Sequence, residues 1–126
     1  MSFNWSEYLI LAQELNSRSA TSPIQEAHLR SAISRAYYAA YCKVRNHLVY
    51  KDHKPIPRGV KNVHLYVAEE FKISKDTTRQ TVGNLLHHLR SIRNKADYQD
   101  ILGRLPGRTQ AALVEAEEII RLLSTL

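Results

Sequence analysis

The feature that most constrains the fold is a stripe of apolar residues spaced three and four positions apart. Residues at this spacing lie on one face of an α-helix, whereas a half-buried strand would need strict alternation. Small residues in and beside the stripe would let another helix approach closely; they are Ala32, Ala36, Ala39 and Ala40. The stripe consists of Leu29, Ile33, Ala36, Tyr37, Ala40, Tyr41, Val44 and Leu48. The sequence therefore predicts a long helix that is buried along one side.

Two helix starts are recognisable in the N-terminal part of the chain. Asn4 can cap a first helix, with Glu7 reaching back as its capping-box partner, and this helix should run to about Leu15. Ser22 followed by Pro23 combines an N-cap with a proline at the first helical position. We therefore expect the long second helix to begin there.

Two further helices are expected after a break between residues 53 and 59, where two prolines remove backbone donors. A short third helix fits Val60 to about Phe71, and Asp76 is suited to cap a fourth helix. The inner face of that fourth helix should carry Val82, Leu85, Leu86, Leu89, Ile92 and Ala96.

A loop marked by Gly103, Pro106 and Gly107 should precede a final helix that Thr109 opens. The inward positions of this last helix are expected to be Ala112, Leu113, Ala116, Ile119, Ile120 and Leu123. At 126 residues the chain is long enough for one core without disulfides or metals. The sequence therefore predicts an all-α fold: one domain over residues 1–126, an antiparallel helical bundle of four to five helices.

Charge and cysteine content bear on the binding partners and the cellular compartment to be expected for this chain. Eighteen Lys and Arg against twelve Asp and Glu give a net charge of +6, which favours polyanionic partners but is equally compatible with a solvated basic surface. The single cysteine, Cys42, excludes an internal disulfide and a cysteine-based zinc site. With neither a signal peptide nor a membrane span recognisable, we expect a cytoplasmic protein with no membrane contact.

Two segments carry features beyond those of an ordinary amphipathic helix. The first is SAISRAYYAAYCKVRN, residues 31–46. Tyr37 and Tyr41 belong to the buried stripe, so core packing is the preferred interpretation for both. Arg35 and Tyr38 lie off the stripe and three positions apart. These two residues could line a groove or a subunit contact.

The second segment is LRSIRNKADYQD, residues 89–100, where polar groups converge on one helix face. Arg93 and Asp97 are one helical turn apart and can form an ion pair. Arg90 and Asn94 lie on the same strip of the helix surface, and Tyr98 lies at the end of that strip. The alternative to a functional site is an exposed helix terminus that this pair stabilises. Exposed ion pairs of this kind are common and contribute only about 0.3–0.5 kcal/mol.

Together, SRAYYAAY and RNKADYQD resemble the HEPN family (higher eukaryotes and prokaryotes nucleotide-binding), in particular its short stand-alone prokaryotic members. The resemblance spans most of the chain in order and spacing. It implies a four- or five-helix bundle, frequent homodimers, and roles in toxin–antitoxin, defence and RNA-processing systems. Many members of the family are metal-independent endoribonucleases.

The catalytic signature of that family is an arginine, a polar residue, a few variable positions and a histidine. Arg93 and Asn94 match its first two positions, but Tyr98 stands where the nearest-spaced histidine would be. Metal-free RNA cleavage needs a base, and histidine, with an ordinary pKa of about 6.5, serves better than tyrosine at about 10. Asp97 could abstract a proton in principle, although pairing with Arg93 would weaken it. The resemblance thus marks Arg93, Asn94, Asp97 and Tyr98 as candidate catalytic residues, and we expect Arg35, Arg90 and Arg93 to contact RNA.

No cofactor or metal is expected, because the chain has no glycine-rich phosphate loop and its histidines lack partners at metal-ligand spacing. His87 and His88 stand earlier on the fourth helix than the signature histidine would, and we interpret both as surface or boundary residues rather than catalytic ones. In a toxin branch of the family a partner nucleotidyltransferase adenylylates a tyrosine, but Asp100 occupies that position here.

Three hypotheses of function follow. The first is an RNA-cleaving or RNA-binding toxin-like homodimer. The second is a non-catalytic interaction module that binds a nucleotidyltransferase or another partner protein. The third, ranked lower, is a helical scaffold with no role in nucleic-acid binding.

Overall fold

Helices from both halves of the chain pack around the long second helix. The computed structural model describes residues 2–126, with α1 (Ser6–Ser19), α2 (Gln25–Asn46), α3 (Val63–Lys72), α4 (Thr77–Tyr98) and α5 (Leu105–Leu123). Helix α2 contacts α1, α4 and α5, whereas α3 lies mainly against α4. No strand occurs between residues 2 and 126. The expected all-α helical bundle is therefore confirmed.

The predicted apolar stripes form the core. Every residue of the α2 stripe is buried, and buried residues of all five helices join one hydrophobic cluster. Leu85 and Ile120 are only partly buried, while the other predicted inward positions of α4 and α5 are buried. Burying one large apolar side chain contributes about 1.5–3 kcal/mol, so this cluster dominates the stability of the bundle.

The predicted starts of α1 and α2 need correction. The Asn4 side chain accepts a hydrogen bond from the Ser6 amide at 3.1 Å, but within residues 2–126 the Glu7 side chain makes no capping-box bond, and α1 continues to Ser19 rather than ending near Leu15. Ser22 does not cap α2. Its hydroxyl accepts from the Ile24 amide at 3.1 Å in a local turn, and the helix begins at Gln25.

Helix α5 begins four residues earlier than predicted. Pro106 lies in its first turn, where a missing amide hydrogen costs nothing, and Arg104 precedes the helix with a φ of 55°. Thr109 is fully buried, and its hydroxyl donates to the Leu105 carbonyl at 2.8 Å. It is therefore an interior residue of α5 and not its cap.

Helices α3 and α4 approach each other at Gly83. A Cβ atom at this position would lie 2.6 Å from the Lys72 amide nitrogen and 2.8 Å from the Ala68 carbonyl oxygen. Only glycine permits this distance between the two backbones. Asn62 caps α3, which begins at Val63 rather than Val60. Asp76 caps α4 as predicted, accepting from the Arg79 amide at 2.9 Å.

A π-helical turn, His47–Lys51, extends α2 and is held to α4 by an ion pair. The Arg79 guanidinium donates to both carboxylate oxygens of Asp52, at 2.7 and 2.6 Å. This bidentate bond to Arg79 lowers the pKa of Asp52. Burial lowers the pKa of the neighbouring His47. Among residues 2–126, no helix is both long enough and apolar enough to span a bilayer.

Candidate functional site at the junction of α1, α2, α3 and α4

The two segments that carry the resemblance meet at Arg93. Its Nη2 donates to the Tyr38 hydroxyl at 2.8 Å, its Nε to Asp97 Oδ2 at 2.7 Å, and its Nη1 to Asn94 Oδ1 at 3.2 Å. Each nitrogen of the guanidinium thus has a partner within the chain. The structure brings Arg93, Asn94 and Asp97 into one network and adds Tyr38 to it.

The expected pairing of Arg93 with Asp97 is present one helical turn apart. Ser34 of α2 also approaches the same carboxylate, its hydroxyl 3.4 Å from Oδ2. The side chain of Arg93 is 12% exposed and that of Asp97 is 24% exposed, so the pair is partly withdrawn from water. Asp97 therefore serves first as the counter-ion that fixes the position of the Arg93 guanidinium.

Tyr98 lies outside this network. It is 74% exposed, and its ring centre is 5.9 Å from the guanidinium carbon of Arg93. With His87, Arg90 and Asn94 it lines an open concavity of about 640 Å³ on the outer face of α4. The structure therefore groups Tyr98 with Asn94 but places it away from the buried contacts of Arg93.

Arg35 is placed on the other side of the candidate site. Its guanidinium carbon lies 5.0 Å from the ring centre of Tyr8 and 5.4 Å from that of Tyr38. The guanidinium carbon of Arg93 is also 5.0 Å from the Tyr38 ring centre. The two arginines do not touch through hydrogen bonds, but both lie against the same tyrosine.

His64 of α3 is the functional candidate that sequence reasoning missed. Its ring is stacked on Tyr41, with centroids 4.1 Å apart, and its Nδ1 lies 2.5 Å from the Tyr37 hydroxyl. Tyr37 is fully buried, and burial raises its pKa. No spacing rule links His64 to these tyrosines, because the contact depends on how α3 packs.

The environment of His64 is positively charged. Burial lowers its pKa to about 4, and the neighbouring charges of Arg90, Arg93 and Arg45 add to this effect. At neutral pH the imidazole is therefore uncharged. It can donate or accept a hydrogen bond without adding charge to the site.

An aromatic cleft of about 520 Å³ extends from His64 to α1. Among the described residues, no Asp or Glu belongs to its lining, which consists of Trp5, Tyr8, Arg35, Tyr38, Tyr41, Cys42, Arg45 and His64. Arg45 lies over the rings of Trp5 and Tyr41, at 5.6 and 5.9 Å, and its hydrogen-bond acceptor is the neutral Asn46 side chain. Positive charge interleaved with aromatic faces suits an anionic ligand that carries rings.

The C-terminal end of α4 is fixed by a second residue that sequence reasoning missed. Arg30 of α2 donates from Nη1 to the carbonyl of Ala96 at 2.9 Å and to that of Gln99 at 2.6 Å. A cation at this end also complements the helix dipole. Arg30 thus positions the last turn of α4, which carries Asp97 and Tyr98.

Between residues 2 and 126, no group of three or more His, Cys, Asp or Glu side chains is arranged to hold a metal ion. Comparison of the chain with protein-family models, curated proteins and solved structures finds no match. The resemblance to the HEPN family therefore stays a prediction that rests on the two sequence segments meeting at Arg93.

Proposed function

We propose that this chain is an RNA-binding, HEPN-like protein of a toxin–antitoxin, defence or RNA-processing system, and that it acts as a homodimer through α4. The observation that carries this proposal is the aromatic cleft, where Arg35 and Arg45 lie on aromatic rings without a carboxylate in the lining. RNA-binding proteins use such surfaces to stack bases and to contact phosphates. The net charge of +6 favours the same ligand.

Under this proposal, binding is the main activity and metal-independent cleavage is weak. Arg93 could stabilise charge on a phosphate, but Asp97 and Tyr38 already occupy its donors. Tyr98 stands where the signature has histidine, and tyrosine, with an ordinary pKa of about 10, is in general a less effective base than histidine. A site with a cationic donor and no efficient base accelerates the reaction only through charge stabilisation.

The test is direct binding of a fluorescent single-stranded RNA to the full chain, followed by anisotropy. Arg35→Gln and Arg45→Gln should each weaken binding about tenfold, because each removes a cation from the cleft. Arg121→Gln is the matched control, since Arg121 is paired with Glu118 on α5. Equal affinities for all four proteins would remove the cleft as the RNA-binding surface.

A second candidate function is a non-catalytic module that binds a nucleotidyltransferase or another partner protein. The exposed side chains at the end of α4 favour it: Tyr98 is 74% and Ile101 is 90% exposed. Exposed aromatic and aliphatic groups of this kind are common in protein interfaces. Co-purification with a nucleotidyltransferase encoded beside this chain, lost on Ile101→Asp but not on Arg45→Gln, would support this function.

A further inference from the structure

The hydrogen bond between Tyr37 and His64 determines which ring nitrogen of His64 carries the proton. Tyr37 is fully buried, and within residues 2–126 its hydroxyl has Nδ1 of His64 as its hydrogen-bond partner. A buried hydroxyl without an acceptor is costly, so Tyr37 donates and Nδ1 accepts. Nε2 of the neutral ring then carries the hydrogen. His64 also lines the aromatic cleft, and the N–H donor left on its neutral ring is the one at Nε2.

The arginines around this ring are short of counter-ions. Arg45 donates to the neutral Asn46 side chain, and Nε of Arg90 is shielded from solvent without a hydrogen-bond partner in the part of the chain that the structure describes. The third arginine near the ring, Arg93, differs from Arg45 and Arg90. It alone of the three has a carboxylate partner, Asp97, among the described residues. A buried or half-buried cation without a carboxylate is stabilised when an anion binds beside it.

We propose that the Nε2–H of His64 and the guanidinium of Arg45 bind one phosphate group in the aromatic cleft, with Arg90 and Arg93 adding positive potential from α4. The inference rests on the proposed function in taking RNA as the source of this phosphate. Guanidinium and imidazole N–H groups are directional donors, and a phosphate offers several acceptor oxygens to them.

The dimensions of the cleft favour a chain of phosphates over a single free anion. Arg35 and Arg45 are ten positions apart on α2, which corresponds to about 15 Å along the helix axis. Tyr38 and Tyr41 lie between them in the cleft lining. One phosphate at Arg45 and His64, another near Arg35, and nucleotide rings against the tyrosines would fill the surface. A mononucleotide or inorganic phosphate would use only the first position.

The experiment follows the imidazole C–H resonances of the full chain by NMR, with His64→Gln used to assign His64. Inorganic phosphate, a 5′-mononucleotide and a single-stranded RNA of eight nucleotides are titrated separately. We expect a saturable shift of the His64 resonance with all three, and the tightest binding with the RNA. Arg45→Gln, which leaves the reporter ring in place, should weaken each affinity at least tenfold, whereas Arg121→Gln should change it less than twofold.

The outcomes separate this inference from the proposed function. An RNA that binds with saturation while the His64 resonance stays unmoved overturns the phosphate site and leaves RNA binding intact. A saturable shift with phosphate or mononucleotide in a protein that does not bind RNA supports the phosphate site and overturns RNA as its source. Equal affinities of wild type and Arg45→Gln would overturn the pairing of Arg45 with His64.

Discussion

Arg93 of α4 and Tyr38 of α2 are 55 positions apart in the sequence and joined by a hydrogen bond of 2.8 Å. Tyr38 lies in the first and Arg93 in the second of the two segments that carry the family resemblance. The bond means that the docking of α4 on α2, and not either helix alone, sets the position of the Arg93 guanidinium. A change at either residue should therefore affect the packing of the two helices as well as the site.

The hydroxyl of Tyr38 should stabilise the fold as well as the site. Tyr38→Phe keeps the ring but removes the acceptor for Arg93, and we expect a loss of about 0.5–1.5 kcal/mol in the free energy of unfolding. Urea unfolding at pH 7 measures this loss. Tyr98→Phe is the matched control, because the exposed Tyr98 should be neutral; a Tyr38→Phe protein as stable as wild type would contradict the importance of the bond.

RNA binding should fall steeply with salt, because each phosphate that the protein neutralises releases counterions. Arg90 and Arg93 are expected to matter most on α4. Replacing both with Ala should lower affinity and make the slope of log affinity against log salt shallower, by about one for each phosphate that is no longer neutralised. Anisotropy over a range of salt concentrations gives the slope, and an unchanged slope would mean that RNA phosphates bind elsewhere on the protein.

Ribonuclease activity should respond to the residue at position 98. Tyr98→His introduces a group with an ordinary pKa of about 6.5, so we expect faster cleavage of a mixed tRNA pool in the presence of a chelator. Arg93→Ala should abolish cleavage in either background, since losing one such donor costs about 100- to 1,000-fold. Brisk cleavage by wild type together with a silent Tyr98→Phe would show that this site is misassigned. If a folded, dimeric Tyr98→His protein cleaves RNA no faster than wild type, the non-catalytic partner function is favoured.

The chain should form a homodimer whose contact includes the outer face of α4. Light scattering at micromolar concentration should give twice the chain mass of 14.5 kDa. A charge introduced by Ser91→Glu on that face should shift the protein toward monomer, whereas Gln110→Glu on α5 should leave it dimeric. A monomer over a wide concentration range would exclude a site composed of two copies.

Stability should fall as the pH drops from about 6.5 to about 4, in part because of His64. Its folded pKa is lowered to about 4, chiefly by burial and then by Arg90, Arg93 and Arg45, so below its ordinary pKa protonation favours the unfolded chain. At pH 7 the ring is neutral in both states and contributes no such penalty. The loss of unfolding free energy between pH 7 and pH 4.5 should be smaller in His64→Gln than in wild type. His47, whose pKa is also lowered, titrates in both proteins and cancels in the comparison.

The sequence predicted the features that depend on neighbours within a helix. The α2 stripe, the Asp76 cap and the Arg93–Asp97 pair are all local, and all are present. The predicted start of α5 was wrong because Pro106 and Gly107 are typical of loops, although proline also suits the first helical turn. Boundaries of this kind depend on which competing local signal the packing favours.

The interactions that complete the site could not be predicted, because they join distant parts of the chain. Arg30 reaches the Ala96 carbonyl across 66 positions, and Tyr37 reaches His64 across 27. Neither pair has a characteristic spacing or composition. They become visible only when the relative placement of α2, α3 and α4 is known.

Gly83 has a bearing on how this protein can change over evolutionary time. Any side chain there would push α3 away from α4, and α3 carries the imidazole of the aromatic cleft. Gly83 has no polar side chain and is remote in sequence from every tyrosine and arginine of the cleft. It nevertheless constrains the position of the His64 imidazole, because it sets the distance between α3 and α4. Under the proposed function, substitutions at position 83 are restricted by the ligand site as well as by helix packing, and a variant there would change function although it alters no functional group.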